Sequence, residues 1–269
     1  MTRRISLPVM CLSIIGFGIL YVPIAVMIVF SFNAGKLVSV WSGFSAKWYA
    51  SLLTNEQLLN AFGLSLFIAF WAATIATFFG MLIAIAFVRF GDFSGRLALS
   101  GLSSAPLVMP EVVTGLSLLL LFISMESMLG WPAGRGLDTI IIAHATFGMC
   151  FAAVVIQARL RDFDQAIEEA AHDLGARQPF VFFSVTLPVI LPAVIAAWLL
   201  AFTLSLDDLV IASFVSGPGS STLPILVFSK VRLGVTPEIN ALASVMIGIV
   251  AVSVITTAYF MRRRLGKTV

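Results

Sequence analysis

Apolar positions in this chain run in long unbroken stretches, and polar positions gather in the gaps between them. A helix needs about 20 apolar residues to cross the hydrocarbon of a bilayer. Six stretches reach that length: Leu7–Phe32, Asn60–Val88, Leu97–Ser124, Thr139–Ala158, Pro188–Val215 and Ala241–Met261. Arg3 and Arg4 precede the first in the manner of a signal peptide. That stretch stays uncharged from Ile5 to Gly35 and shows no small-residue cleavage site, so it is expected to persist as a helix. The run Ser216-Gly217-Pro218-Gly219, with Pro224 soon after, breaks any helix. The apolar residues beyond it are expected to form a loop or re-entrant piece, an outer loop over about 216–240. The expected fold is all-α and polytopic: one membrane domain over residues 1–269 with six transmembrane helices.

Composition narrows the function classes. Of 269 residues, 60% are hydrophobic and 11% charged, against roughly 25% charged in an ordinary soluble domain. Twenty-three phenylalanines and a mean hydropathy of +1.07 point the same way. A soluble core of this size cannot hide so much apolar surface, which excludes a cytosolic enzyme, a nucleic-acid binder and a secreted module. Cys11 and Cys150 lie within apolar runs and lack metal-ligand spacing. The net charge of +3 is best read as orientation. Six crossings place both termini, Arg89, Arg96, Arg159, Arg161 and Arg177 on one side, and Lys36, Lys47, Arg135, Lys230 and Arg232 on the other. The richer side faces the cytoplasm by the positive-inside rule. The outer segment Ala46–Leu59, with Trp48, Leu52, Leu53 and Leu59, suggests an interfacial amphipathic helix, and Met125–Asp138 a short turn. With no soluble domain, such a chain must borrow its energy source or be passive.

The loop over about 159–188 holds the one charge-dense stretch. Phe163, Ile167, Ala170 (or Ala171) and Leu174 recur at helical spacing, which predicts a short amphipathic helix. Asp162 or Asp164 is expected to cap its start, Gly175 to end it and Pro179 to prevent its continuation. Glu168, Glu169, His172 and Asp173 would face outward. The bland reading is a solvated helix on the membrane; small Ala170 and Ala171 beside acidic residues also allow another protein to approach closely.

Glu169-Ala170-Ala171, three residues, Gly175, nine residues, Val185, one residue, Leu187-Pro188 resembles the EAA loop of ABC-importer permeases. Val185 stands where isoleucine is usual. The segments Tyr21–Asn33, Lys36–Tyr49, Ala105–Phe122 and Leu200–Ala243 extend the resemblance over the whole chain, toward the permeases of polyamine importers and the putrescine type most. The resemblance implies a type I ABC-importer permease fold in the bacterial inner membrane, working by alternating access. Glu169, Ala170, Ala171 and Gly175, with Asp173 as an added contact, would form the coupling helix that docks on a cytoplasmic ATPase dimer. A second, different permease subunit and a periplasmic polyamine-binding protein would complete the machine. ATP and magnesium would be bound by the ATPase, with no cofactor or enzymatic chemistry on this chain.

Charges inside the membrane need an internal reason, since each costs about 2.5–3.5 kcal/mol at the bilayer centre by insertion scales. Asp207 and Asp208 fall near the outer end of the fifth stretch. Adjacent helical positions point about 100° apart, so one would face a pathway and the other a neighbouring helix. A pair there would attract protonated amines; the competing reading is a cap on the break that follows. Glu111, after Pro106 and Pro110, would either line the path or satisfy freed amides. Thr114, Gly115 and Ser117 suit close helix packing. His144 reads as a buried, hydrogen-bonded histidine, and Trp41, Trp48 and Trp131 as an interfacial belt with some capacity to cradle cations. A self-contained ion-coupled transporter using Glu111, Asp207 and Asp208 is the alternative, but no repeat is evident. An intramembrane enzyme fits less well, because adjacent carboxylates on one helix make a poor dyad.

Overall fold

The computed structural model describes residues 7–37, 40–234, 236–248 and 251–252. The named elements among them are helices, joined by one isolated antiparallel bridge between Asn33 and Phe44. Five of these helices are long and apolar enough to cross a membrane: Val9–Phe30, Glu56–Arg89, Glu111–Leu129, Leu137–Arg161 and Gln178–Asp207. The expected sixth span, Ala241–Met261, begins within a helix over 237–248 and otherwise lies largely outside the described residues. The chain divides into two compact units, one of residues 1–59 with 227–269 and one of Asn60–Leu226.

In the first unit, helix α1 (Leu7–Phe30) is apolar on every side, and Ile14, Phe17 and Leu20 stay exposed. A helix that satisfies its own backbone and shows apolar side chains all round is suited to lipid. The loop after it is built on buried Asn33. The Asn33 amide nitrogen donates to the carbonyls of Leu37 (2.9 Å) and Val40 (2.7 Å), and its oxygen accepts from the Ser42 N–H at 2.8 Å. Trp48 donates its indole N–H to the Asn33 carbonyl at 2.7 Å. Helix α2 (Lys47–Thr54) is shorter than the expected Ala46–Leu59. Asn55 cuts it, because its side-chain oxygen accepts from the Leu58 N–H (3.1 Å) and so caps the next helix, α3 (Glu56–Arg89). Glu238 accepts from the Asn55 amide at 2.8 Å and from the Ser51 hydroxyl at 3.2 Å, and lies 3.7 Å from the Lys230 ammonium.

The second unit continues α3 and adds α4 (Arg96–Val108), α5 (Glu111–Leu129), α6 (Leu137–Arg161), α7 (Ala166–Asp173), α8 (Gln178–Val181), a π-helical turn (Phe182–Thr186), α9 (Leu187–Asp207), α10 (Val210–Val215) and the start of α11 (Leu223–Leu233). Helix α6 is its axis: Ile140, Ala143, Cys150, Ala152 and Ile156 are fully buried. Small residues let its neighbours approach. A Cβ added at Gly80 of α3 would lie 2.8 Å from the Ala152 Cβ, and one at Gly148 of α6 would lie 3.2 Å from Ala76 and 3.4 Å from Ala201. Glycine and alanine thus form a close seam through α3, α6 and α9, as small residues do where helices pack in lipid.

Two expected spans are not single helices. The third stretch, Leu97–Ser124, is α4 and α5 with a break at Met109-Pro110. Pro110 lacks an N–H and pushes Met109 to extended backbone (ψ 141°), so helix α4 ends at Val108 and Pro110 caps α5. The fifth stretch, Pro188–Val215, ends its long helix at Asp207. Asp208 turns extended (ψ 123°), and α10 starts anew. The region over 216–240 contains helix α11 rather than loop alone.

Candidate functional site

The charge-dense loop folds as expected in outline and differs in its faces. Asp164 accepts the Ala166 N–H at 3.0 Å, helix α7 follows, and Gly175 at φ +85° provides the left-handed exit. Pro179 does not simply stop a helix; it occupies the first turn of α8, where a missing N–H costs nothing. Glu169, Ala170, Asp173 and Gly175 are exposed, and Ala171 is half-buried. Glu168, expected outward, turns inward. Its carboxylate meets the Arg89 guanidinium at 2.8 Å and accepts from the Thr186 hydroxyl. Arg89 also lies over the Phe163 ring, 5.5 Å from its centroid. A paired carboxylate costs less to bury than a free one, which is why the inward face of α7 carries an acid.

The apolar residues at helical spacing around α7 divide between the two faces. Ile167 and Leu174, expected to face inward, are 49% and 89% exposed, while Phe163 is buried. Beside α7 an open cavity of about 650 Å³ is lined by Arg89, Glu168, His172, Phe182 and Phe183, with the exposed Glu169 at its edge. The segment therefore presents apolar, acidic and small side chains together on a helix pinned from below by one ion pair. Neither Arg89 nor Thr186 was singled out from sequence. The available signal was an arginine ending an apolar span and an acid heading an amphipathic helix 79 residues later, which no short-range spacing connects.

The membrane carboxylates are arranged differently from one another. Asp208 has a 9% exposed side chain, accepts from the amides of Ile211 (3.3 Å) and Ala212 (2.7 Å), and lies 3.0 Å from the Nε2 of His144. That last approach is close enough for an ion pair but is not aligned as a hydrogen bond. The other imidazole nitrogen shares a 2.7 Å hydrogen bond with Ser205 of α9. His144 is thus the buried, bonded histidine expected, and Ser205 is a partner the sequence reading did not name. Asp207, one position earlier, ends α9 exposed. Glu111 is exposed in the first turn of α5, where the helix dipole favours an acid. Thr114 and Gly115 are buried, and a Cβ on Gly115 would lie 2.7 Å from the Phe214 ring of α10; Ser117 is exposed. Among the described residues no group of three or more His, Cys, Asp or Glu could hold a metal ion.

Residues 76–269 match the model of the binding-protein-dependent transport system inner membrane component. The chain belongs to this family. The permease is 55% identical over 250 residues to the putrescine transport system permease protein PotI of Escherichia coli (strain K12), covering 93% of this chain and 89% of that one. It is 40% identical over 246 residues to the spermidine/putrescine transport system permease protein PotC of the same organism, covering 91% and 90%. Among solved structures, a bacterial ABC transporter involved in the import of the polysaccharide alginate matches with a TM-score of 0.67 at 16% identity, over 96% of this chain and 100% of that one. The permease therefore has the all-helical fold of ABC-importer membrane subunits and is an inner-membrane transport subunit, not an enzyme. The ion-coupled transporter and the intramembrane enzyme have no support from these relatives.

Proposed function

We propose that this permease forms half of the membrane pathway of an ATP-driven polyamine importer, with putrescine as the first substrate and spermidine as the second. The observation that carries the proposal is the 55% identity to a putrescine permease, sustained over 93% of the chain. The chemistry is compatible: the exposed Asp207 and Glu111 offer carboxylates to a flexible chain with a protonated amine at each end. The partners in this reading are a second, homologous permease, a cytoplasmic ATPase dimer that binds ATP and magnesium, and a periplasmic polyamine-binding protein. Glu169, Ala170, Ala171, Asp173 and Gly175 form the contact with the ATPase. Both termini then lie in the cytoplasm, on the arginine-rich side.

The test is uptake of radiolabelled putrescine into vesicles that hold this chain alone and then the full set of partners. ATP-dependent uptake only with the full set is the expected result. Uptake by the chain alone under an ion gradient would overturn the reading.

A further inference from the structure

Between α4 and α6 lies a slot of about 210 Å³ that has no part in the coupling contact or the acidic site. One wall is the stripe Arg96, Ser100, Ser104 and Leu107 of α4, and the other is Val154, Gln157 and Arg161 of α6. Spacings of three and four place each set on a single helix face. The two helices run past each other so that Arg96, the first residue of α4, and Arg161, the last of α6, share one end. The other end is apolar and open, with Leu107 37% and Val154 52% exposed.

Arg96 and Arg161 both line the slot at this end, so an anion entering there meets two guanidiniums. Asp92 is 3.6 Å from Arg96, but its side chain is fully exposed and therefore screened. Arg161 makes no ion pair among the described residues. Arg96 spends some of its five donors on the carbonyls of Gly91 and Phe87, which fixes the guanidinium and leaves others free. Along the slot the lining passes from cationic, through hydroxyl and amide, to apolar. Its cationic end is where the spans finish, the level at which lipid headgroups lie. A protonated polyamine is repelled from such a mouth.

We propose that this slot binds an anionic phospholipid. The phosphate bridges Arg96 and Arg161, Gln157 and the α4 serines donate to its oxygens, and an acyl chain leaves over Leu107 and Val154. Bidentate guanidinium contacts suit phosphate better than lysine would.

The full chain in detergent can be titrated with phosphatidylglycerol and with phosphatidylethanolamine of the same acyl chains, and bound lipid counted by native mass spectrometry. Phosphatidylglycerol is expected to bind more tightly. Arg161→Gln weakens that binding about fivefold, the scale of one arginine lost near the headgroups. Arg159→Gln removes the same charge two positions away, outside the slot, and leaves binding unchanged. Val154→Asp, an acid at the exposed apolar exit, weakens binding even if Arg161→Gln proves unstable. Equal binding of the two lipids, equal effects of the two arginine variants, or an unaltered Val154→Asp would each overturn the site. Displacement of the lipid by millimolar inorganic phosphate would show a free-phosphate site instead, and overturn the lipid assignment.

Discussion

Removing the His144 imidazole leaves Asp208 with two backbone amides and no facing ring nitrogen, and leaves the Ser205 hydroxyl without its partner. Both groups are largely buried, so His144→Ala is expected to cost about 2 kcal/mol of stability, read as a fall in the thermal unfolding midpoint in detergent. Asp208→Ala should also destabilise, by about 1–2 kcal/mol, since it removes the cap of α10. Asp207→Asn is expected to leave the midpoint unchanged and to lower polyamine uptake, because that side chain ends α9 exposed. Equal stability and equal, near-wild-type uptake for the Asp207 and Asp208 variants would refute this division. The sequence made the divergence of the two acids readable, from the 100° step between helical neighbours. It could not show which was which. Asp208 has already left the helix, and its histidine partner lies more than 60 residues earlier in the chain, joined to it by tertiary packing alone.

At the scale of elements, apolar runs located the helices and failed at their interruptions. Apolar residues flank Met109-Pro110-Glu111 on both sides, and the backbone chemistry of Pro110 separates α4 from α5. The long fifth helix likewise ends in mid-run, where an aspartate finds amides to cap. The small-residue seam was equally hard to read, since in a chain this rich in alanine and glycine no single one stands out. The structure distinguishes them. Gly80→Ala should disrupt the contact of α3 with α6, because the new methyl meets the Ala153 nitrogen and the Met149 carbonyl oxygen at 2.9 Å, backbone atoms with little room to move. A cost of about 1–3 kcal/mol is expected for such overpacking. Gly63→Ala on the same helix has nothing within 4 Å and should be neutral or slightly stabilising. Unfolding midpoints of the two variants in detergent check the pair, and equal values would mean the seam is not close-packed.

If α7 is the ATPase contact proposed above, a helix of eight residues must carry force. Helix α7 is short and polar, so its own stability is marginal, and its position must be imposed. Glu168 imposes it, by joining α7 to the end of α3 through Arg89 and to the π-helical turn through Thr186. Its neighbour Glu169 is exposed and free to meet a partner. In the proposed function the adjacent acids therefore divide attachment from docking. Glu169→Lys is expected to reduce co-purification of the ATPase, since it reverses charge at the proposed contact, while the unfolding midpoint of the chain stays the same. Glu168→Gln should act the other way. The ATPase still binds, because the outer face of α7 is intact, but stimulated hydrolysis and uptake lose their coupling as the rigid link to α3 and α9 weakens. Co-purification and coupled hydrolysis measured together on both variants separate the two roles. If Glu168→Gln lost the ATPase as completely as Glu169→Lys, the ion pair would be part of the docking surface and not the anchor beneath it.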